Sequence, residues 1–115
     1  MALIVNSRVS ADTVVLDLEG RLWVLDLPLH DQVRDLLAQE CRYFVMNLEK
    51  VEYIDSSGLG QLVALWTSVR TRGGNLVLMR PTERVRRLLT VTRLNVVFDI
   101  FQDEDKAKAA IRREG

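Results

Sequence analysis

Between Tyr43 and Met79 the chain changes its hydrophobic period twice, and this constrains the fold more than any other feature. Tyr43 to Leu48 is a compact, largely apolar run, the pattern of a strand covered on both faces. Leu59, Leu62, Val63, Trp66 and Val69 then recur on one stripe at helical spacing. Gly73-Gly74 stops that helix, and Asn75 to Met79 forms a second apolar strand. A strand, a helix and a strand in this order predict neighbouring parallel strands with the helix packed across them.

The rest of the chain extends the alternation. Leu3 to Val9 and Thr13 to Leu18 read as two short strands joined by the turn Ser10-Ala11-Asp12, with Gly20 ending the second. Pro28 suits a first helical turn and Asp26 can cap it, after which Leu29, Val33, Leu36, Leu37 and Cys41 recur on one face to near Glu40. Pro81-Thr82-Glu83 opens a short helix with Val85, Leu88 and Leu89 inward, and Val96 to Phe101 reads as a last strand. Asp103, Glu104 and Asp105 favour the start of a final helix to about Arg113, with Ala107, Ala110 and Ile111 inward. The expectation is one α/β domain over residues 1–115: a small, mixed, mostly parallel sheet of about 4–5 strands, about 4 helices, and an antiparallel pair at the start.

Composition narrows the function classes. The 115 residues carry 16 basic and 16 acidic side chains, so no global charge draws the chain to nucleic acid or to an anionic membrane. The charge is uneven: Arg70, Arg72, Arg80, Arg84, Arg86, Arg87 and Arg93 face a single acid, Glu83, whereas acids outnumber bases in the first half. Two solvated helix faces of opposite sign explain this; so does a surface that docks a charged partner. The lone Cys41 rules out an intrachain disulfide, fits a reducing cytosol, and reads as a small buried hydrophobe. A single histidine, His30, leaves too few soft ligands for a usual zinc site. No apolar run has transmembrane length, and Met1 to Val5 lack the basic start and long apolar core of a signal peptide. A cytoplasmic location is expected.

Chemistry concentrates at Asp55-Ser56-Ser57-Gly58-Leu59-Gly60, where the strand pattern gives way to the helical one. Two hydroxyls and a carboxylate sit at the predicted helix start, a position that favours anions. Each glycine within a helix costs about 1 kcal/mol relative to alanine, so the backbone is kept bare for close packing or close approach. No glycine stands two residues before either serine, so neither is a nucleophile elbow. Gly58-Leu59-Gly60 matches no phosphate loop or dinucleotide fingerprint, and no lysine follows it. His30 beside Asp31 reads as a solvated residue at a helix start rather than part of a triad. A small serine hydrolase or nucleotide-binding protein therefore lacks its base and its cradle, and the chain is expected not to be an enzyme. Trp23 is a core plug or an aromatic anchor for a partner, Trp66 packs in the core, and Leu65, at the edge of its stripe, suits a partly exposed helix contact.

The run from Tyr43 through Asp55-Ser56-Ser57-Gly58-Leu59-Gly60 resembles the signature of STAS domains, specifically bacterial anti-sigma factor antagonists. Gly73 to Leu78 and Val85 to Leu94 match the same layout, so the likeness spans nearly the whole chain. The resemblance implies a STAS fold and a partner-switching, phosphoprotein role in bacterial signal transduction and transcription regulation. It implies an anti-sigma factor serine kinase as partner, bound by the unphosphorylated chain so that a sigma factor is freed. That kinase uses its own ATP and magnesium, so the chain itself needs no cofactor or metal; a serine phosphatase reverses the mark. Ser56 matches the phosphoacceptor, with Ser57 the secondary candidate; Asp55 would orient or polarise the Ser56 hydroxyl, and Ser57, Gly58, Leu59 and Gly60 would shape the docking surface. No direct nucleic-acid contact, no membrane insertion, and a monomer or weak dimer are the remaining expectations. A scaffold or subunit of another stress-signalling or lipid-transport complex is the alternative. Gly20 to Pro28 departs from the commoner family pattern, which bears on partner choice; Asn47 stands where an Asp is more usual, as an Asn does in some relatives.

Overall fold

The computed structural model describes residues 3–22 and 27–112. Its elements in chain order are β1 (Ile4–Ser10), β2 (Thr13–Leu22), α1 (Leu27–Ala38), β3 (Tyr43–Ile54), α2 (Ser56–Thr71), β4 (Asn75–Met79), α3 (Glu83–Val91), a 3-10 turn (Leu94–Val96), β5 (Ile100–Phe101) and α4 (Glu104–Ile111). Among the described residues these make a five-stranded sheet in the order β1-β2-β3-β4-β5. β1 pairs antiparallel with β2, and every later pairing is parallel. The expected mixed sheet with its antiparallel opening is therefore present.

Alternation along the strands splits the core in two. Val14, Leu16, Phe44, Met46, Leu76 and Leu78 join residues of α1, α2 and α3 in the larger cluster. Val15, Val45, Val77 and Met79 point the other way, onto Ala107 and Ile111 of α4. Both faces of the sheet are thus covered, which is why β3 and β4 read as continuous apolar runs. In α3, Val85 and Leu89 are buried as expected while Leu88 is half-buried; in α4, Ala110 is half-buried beside the fully buried Ala107 and Ile111. Cys41 is buried, and that burial raises its thiol pKa, as befits an inert small hydrophobe.

Several boundaries differ from the sequence expectation: β3, read as Tyr43 to Leu48, continues to Ile54, and α1 ends at Ala38, so the buried Cys41 lies beyond it. β2 does not end at Gly20 but runs through it to Leu22. Gly20 sits at φ 115°, open to glycine, and the pairing with β3 shifts register around it, so the residue marks an irregularity within a strand. The apolar run Val96 to Phe101 is not one strand either. Arg93 turns left-handed at φ 63° into the 3-10 turn, and only Ile100 and Phe101 pair with β4, opposite Leu78 and Met79. β4 ends at Met79, leaving the edge little to pair with. Phe98 is buried in the larger cluster, while Val96 is 81% exposed.

Candidate functional site at the start of helix α2

Parallel pairing sets Leu22 opposite Ile54, so the ends of β2 and β3 lie side by side where α2 begins. The site is therefore built from the carboxyl ends of neighbouring strands and one helix N-terminus. Asp55 is the N-cap of α2: in extended conformation (φ −121°, ψ −172°), its Oδ1 accepts from the Gly58 N–H at 2.9 Å. The same oxygen accepts from the Ser57 hydroxyl at 2.7 Å. The Gly58 N–H first, then the Ser57 hydroxyl, stabilise the carboxylate and hold the Asp55 carboxyl below its ordinary pKa.

Here the geometry parts from the expectation that Asp55 orients the Ser56 hydroxyl. The carboxylate engages Ser57 instead, since a hydroxyl two residues on comes within reach of a capping carboxylate. Ser56, the first residue of α2, is exposed, and its hydroxyl makes no hydrogen bond among the described residues. The two adjacent serines are thus inequivalent: one completes the cap, the other faces solvent.

The two glycines also divide. A Cβ on Gly58 would lie 2.0 Å from the Leu22 carbonyl oxygen and 2.9 Å from the Ile54 side chain, so this residue is bare because β2 and β3 press on it. A Cβ on Gly60 would meet nothing within 4 Å, and Gly60 is exposed. Clearance toward the outside can therefore be argued for Gly60 and not for Gly58.

Other expected site residues are placed differently from their sequence reading. Leu65, expected to be partly exposed, is 2% exposed and belongs to the core, because α1 packs against that side of α2. Leu59 is 3% exposed, so it can shape the surface only from beneath. Trp23 and Asp26 lie outside the described residues. His30 is not a freely solvated residue: its Nε2 is buried without a hydrogen-bond partner, in a cleft between α1 and α2 that Leu65 also lines. Trp66 is half-buried at the core margin, edge-on to Phe98 at 6.3 Å, with the Arg70 guanidinium 5.5 Å from its ring centroid. Among the described residues no group of three or more His, Cys, Asp or Glu side chains is arranged to hold a metal ion, and no helix is long and apolar enough to cross a membrane.

Sequence reasoning missed one neighbour of the site. Tyr53 and Ile54, just before Asp55, form one wall of a groove against Arg84, Arg87, Leu88 and Val91. The clustered arginines were visible in the sequence, but their position beside the end of β3 was not.

A mixed five-stranded sheet, with an exposed serine at the capped start of the helix that follows β3, defines an α/β domain with its candidate site on the surface. The chain belongs to the STAS domain family, whose family model matches residues 5–107. It is 29% identical over 100 residues to the anti-sigma-B factor antagonist of Bacillus subtilis, covering 87% of this chain and 92% of that one. A Thermotoga maritima relative is 36% identical over 67 residues, and there the match spans 59% of that protein's length. The crystal structure of the Thermotoga maritima protein TM1081 superposes with a TM-score of 0.83 at 28% identity, over 94% of both chains. Phosphorylated SpoIIAA of Bacillus shares the fold, with a TM-score of 0.71 at 20% identity over 96% of this chain and 99% of that one.

Proposed function

We propose that the chain is an anti-sigma factor antagonist that binds an anti-sigma factor serine kinase while unphosphorylated and is released when Ser56 is phosphorylated. The observation that carries this reading is the contrast at the start of α2: Ser56 is exposed with its hydroxyl uncommitted, whereas Ser57 is tied to the capping Asp55. The Bacillus subtilis relative's name supports the same class of function. The chain acts as substrate and ligand rather than enzyme, with ATP and magnesium brought by the kinase and a phosphatase restoring the binding form.

Charge explains the release. A phosphate adds roughly −1.5 to −2 charge, placed on the residue next to the capping Asp55 carboxylate. At a helix N-terminus that charge is tolerated by the helix itself, so the fold persists while a closely packed partner is repelled. Shifting a complex from about 99% to 1% occupancy takes on the order of 5.5 kcal/mol of differential affinity. One doubly charged group buried at an interface supplies a large part of it.

The test is affinity capture from the source cell with wild type and Ser56→Ala, followed by phosphosite mapping. Capture of a serine kinase by both, with the phosphate on Ser56 of the wild type alone, is expected. A phosphate on Ser57 only, or a captured ATPase or permease in place of a kinase, overturns it.

A further inference from the structure

Of the twelve described arginines, Arg8, Arg21, Arg34, Arg42, Arg80 and Arg112 each lie within ion-pair distance of a carboxylate, while Arg70, Arg72, Arg93 and the three of α3 have no carboxylate of the described residues within that distance. The three of α3, Arg84, Arg86 and Arg87, are all exposed. Arg84 and Arg87 flank a groove of about 600 Å³ with an apolar floor of Tyr53, Ile54, Leu88 and Val91. Val91 is 74% exposed, and the Arg84 guanidinium lies 5.9 Å from the centroid of the Tyr53 ring. The one carboxylate in the wall, Glu83, sits in the first turn of α3, where the helix N-terminus already favours it.

We infer that this groove docks an acidic segment of the partner kinase, with carboxylates on Arg84 and Arg87 and an apolar side chain over Tyr53 and Val91. The inference rests on the function proposed above. Unpaired guanidinia at the rim of a concave apolar surface select carboxylates, which steer encounter and fix register. A desolvated pocket holds the anchoring side chain. The groove starts at Tyr53 and Ile54, immediately before Asp55 and Ser56, so a partner seated there brings its active site to the acceptor hydroxyl. Affinity from α3 and switching from Ser56 are then separate functions of one continuous surface. A bilayer fits less well: the floor is concave, and the inward apolar residues of α3, Val85 and Leu89, are fully buried in the core.

The test compares Arg84→Glu/Arg87→Glu with Lys106→Glu/Lys108→Glu, an equal change of charge on α4 across the sheet. The probe is the purified kinase that labels Ser56, measured by calorimetry and by labelling rate at limiting and saturating kinase. At least a tenfold loss of affinity is expected for the α3 variant alone, with a smaller salt dependence and a labelling defect that saturating kinase removes; Val91→Asp should reproduce the affinity loss. Unchanged affinity in the α3 variant, or equal loss in the α4 control, overturns the groove while leaving the Ser56 reading intact. A wild-type chain that no kinase labels overturns both. Binding to phosphatidylserine–phosphatidylcholine vesicles that the α3 substitutions abolish, with kinase affinity unchanged, also overturns it in favour of a membrane. Circular dichroism checks that each variant is folded.

Discussion

Gly58 lies against the carbonyl oxygen of Leu22 so closely that a Cβ would come within 2.0 Å of it. Backbone cannot yield as a flexible side chain can, so the contact pins the start of α2 to the end of β2. Gly58→Ala should therefore destabilise the protein by about 1–3 kcal/mol, the usual cost of overpacking. Gly60→Ala, on the open side of the same helix, should stabilise it by up to about 1 kcal/mol through helix propensity. Urea denaturation of the two variants checks this, and equal destabilisation by both would contradict the division of roles. If Gly60 provides clearance for the kinase, Gly60→Ala should also weaken the complex.

Asp55 should act as a cap before it acts as anything else. Asp55→Ala removes the acceptor for Gly58 N–H and Ser57, at a cost of about 1 kcal/mol. The carboxyl pKa is depressed in the folded protein, so its contribution is fully present above the unfolded-state pKa and lost as pH falls through the folded-state value. Asp55→Asn keeps a capping oxygen without a titrating group. The stability difference between wild type and Asp55→Asn should therefore shrink on acidification below the ordinary carboxylate range; a pH-independent difference in chemical denaturation would count against the carboxylate.

The adjacent serines should separate cleanly. Ser57→Ala loses a 2.7 Å hydrogen bond to Asp55 and should cost roughly 0.5–1.5 kcal/mol. Ser56→Ala should leave stability within about 0.5 kcal/mol, as surface changes usually do, while abolishing labelling by the kinase. Ser56→Asp should weaken kinase binding, which calorimetry would detect. Labelling that survives Ser56→Ala and disappears in Ser57→Ala would reverse the assignment.

Leu65 should behave as a core residue. At 2% exposure, Leu65→Ala is expected to cost about 2–5 kcal/mol through lost burial and a cavity. Partner affinity of the remaining folded protein should change little. Near-neutral stability in thermal denaturation would restore the surface role suggested by its place on the helical stripe.

Much of this was legible before the coordinates. The period changes between Tyr43 and Met79 placed two parallel strands and their helix, because a two-residue period and a 3.6-residue period leave different apolar patterns. The motif from Asp55 to Gly60 located the site, because a capping acid and bare helical residues are local features. Leu65 was misread because a stripe margin does not reveal which neighbouring helix covers it. His30 was misread for the same reason. The run Val96 to Phe101 was read as one strand because apolar character alone does not tell a pairing residue from a plug such as Phe98.

From the sequence alone came the element order, the mixed sheet and the segment that carries the chemistry, since these depend on local periodicity, capping and glycine cost. Tertiary structure decided how residues within that segment differ. Leu22, brought beside Ile54 by strand pairing, makes Gly58 a packing residue and leaves Gly60 facing outward. The helix turn at α2 gives the Asp55 carboxylate to Ser57 and leaves Ser56 uncommitted. The groove of Tyr53 and α3 exists only because residues far apart in the chain meet at one end of the sheet. Distances across space are what local pattern does not encode, and at this site they assign the roles.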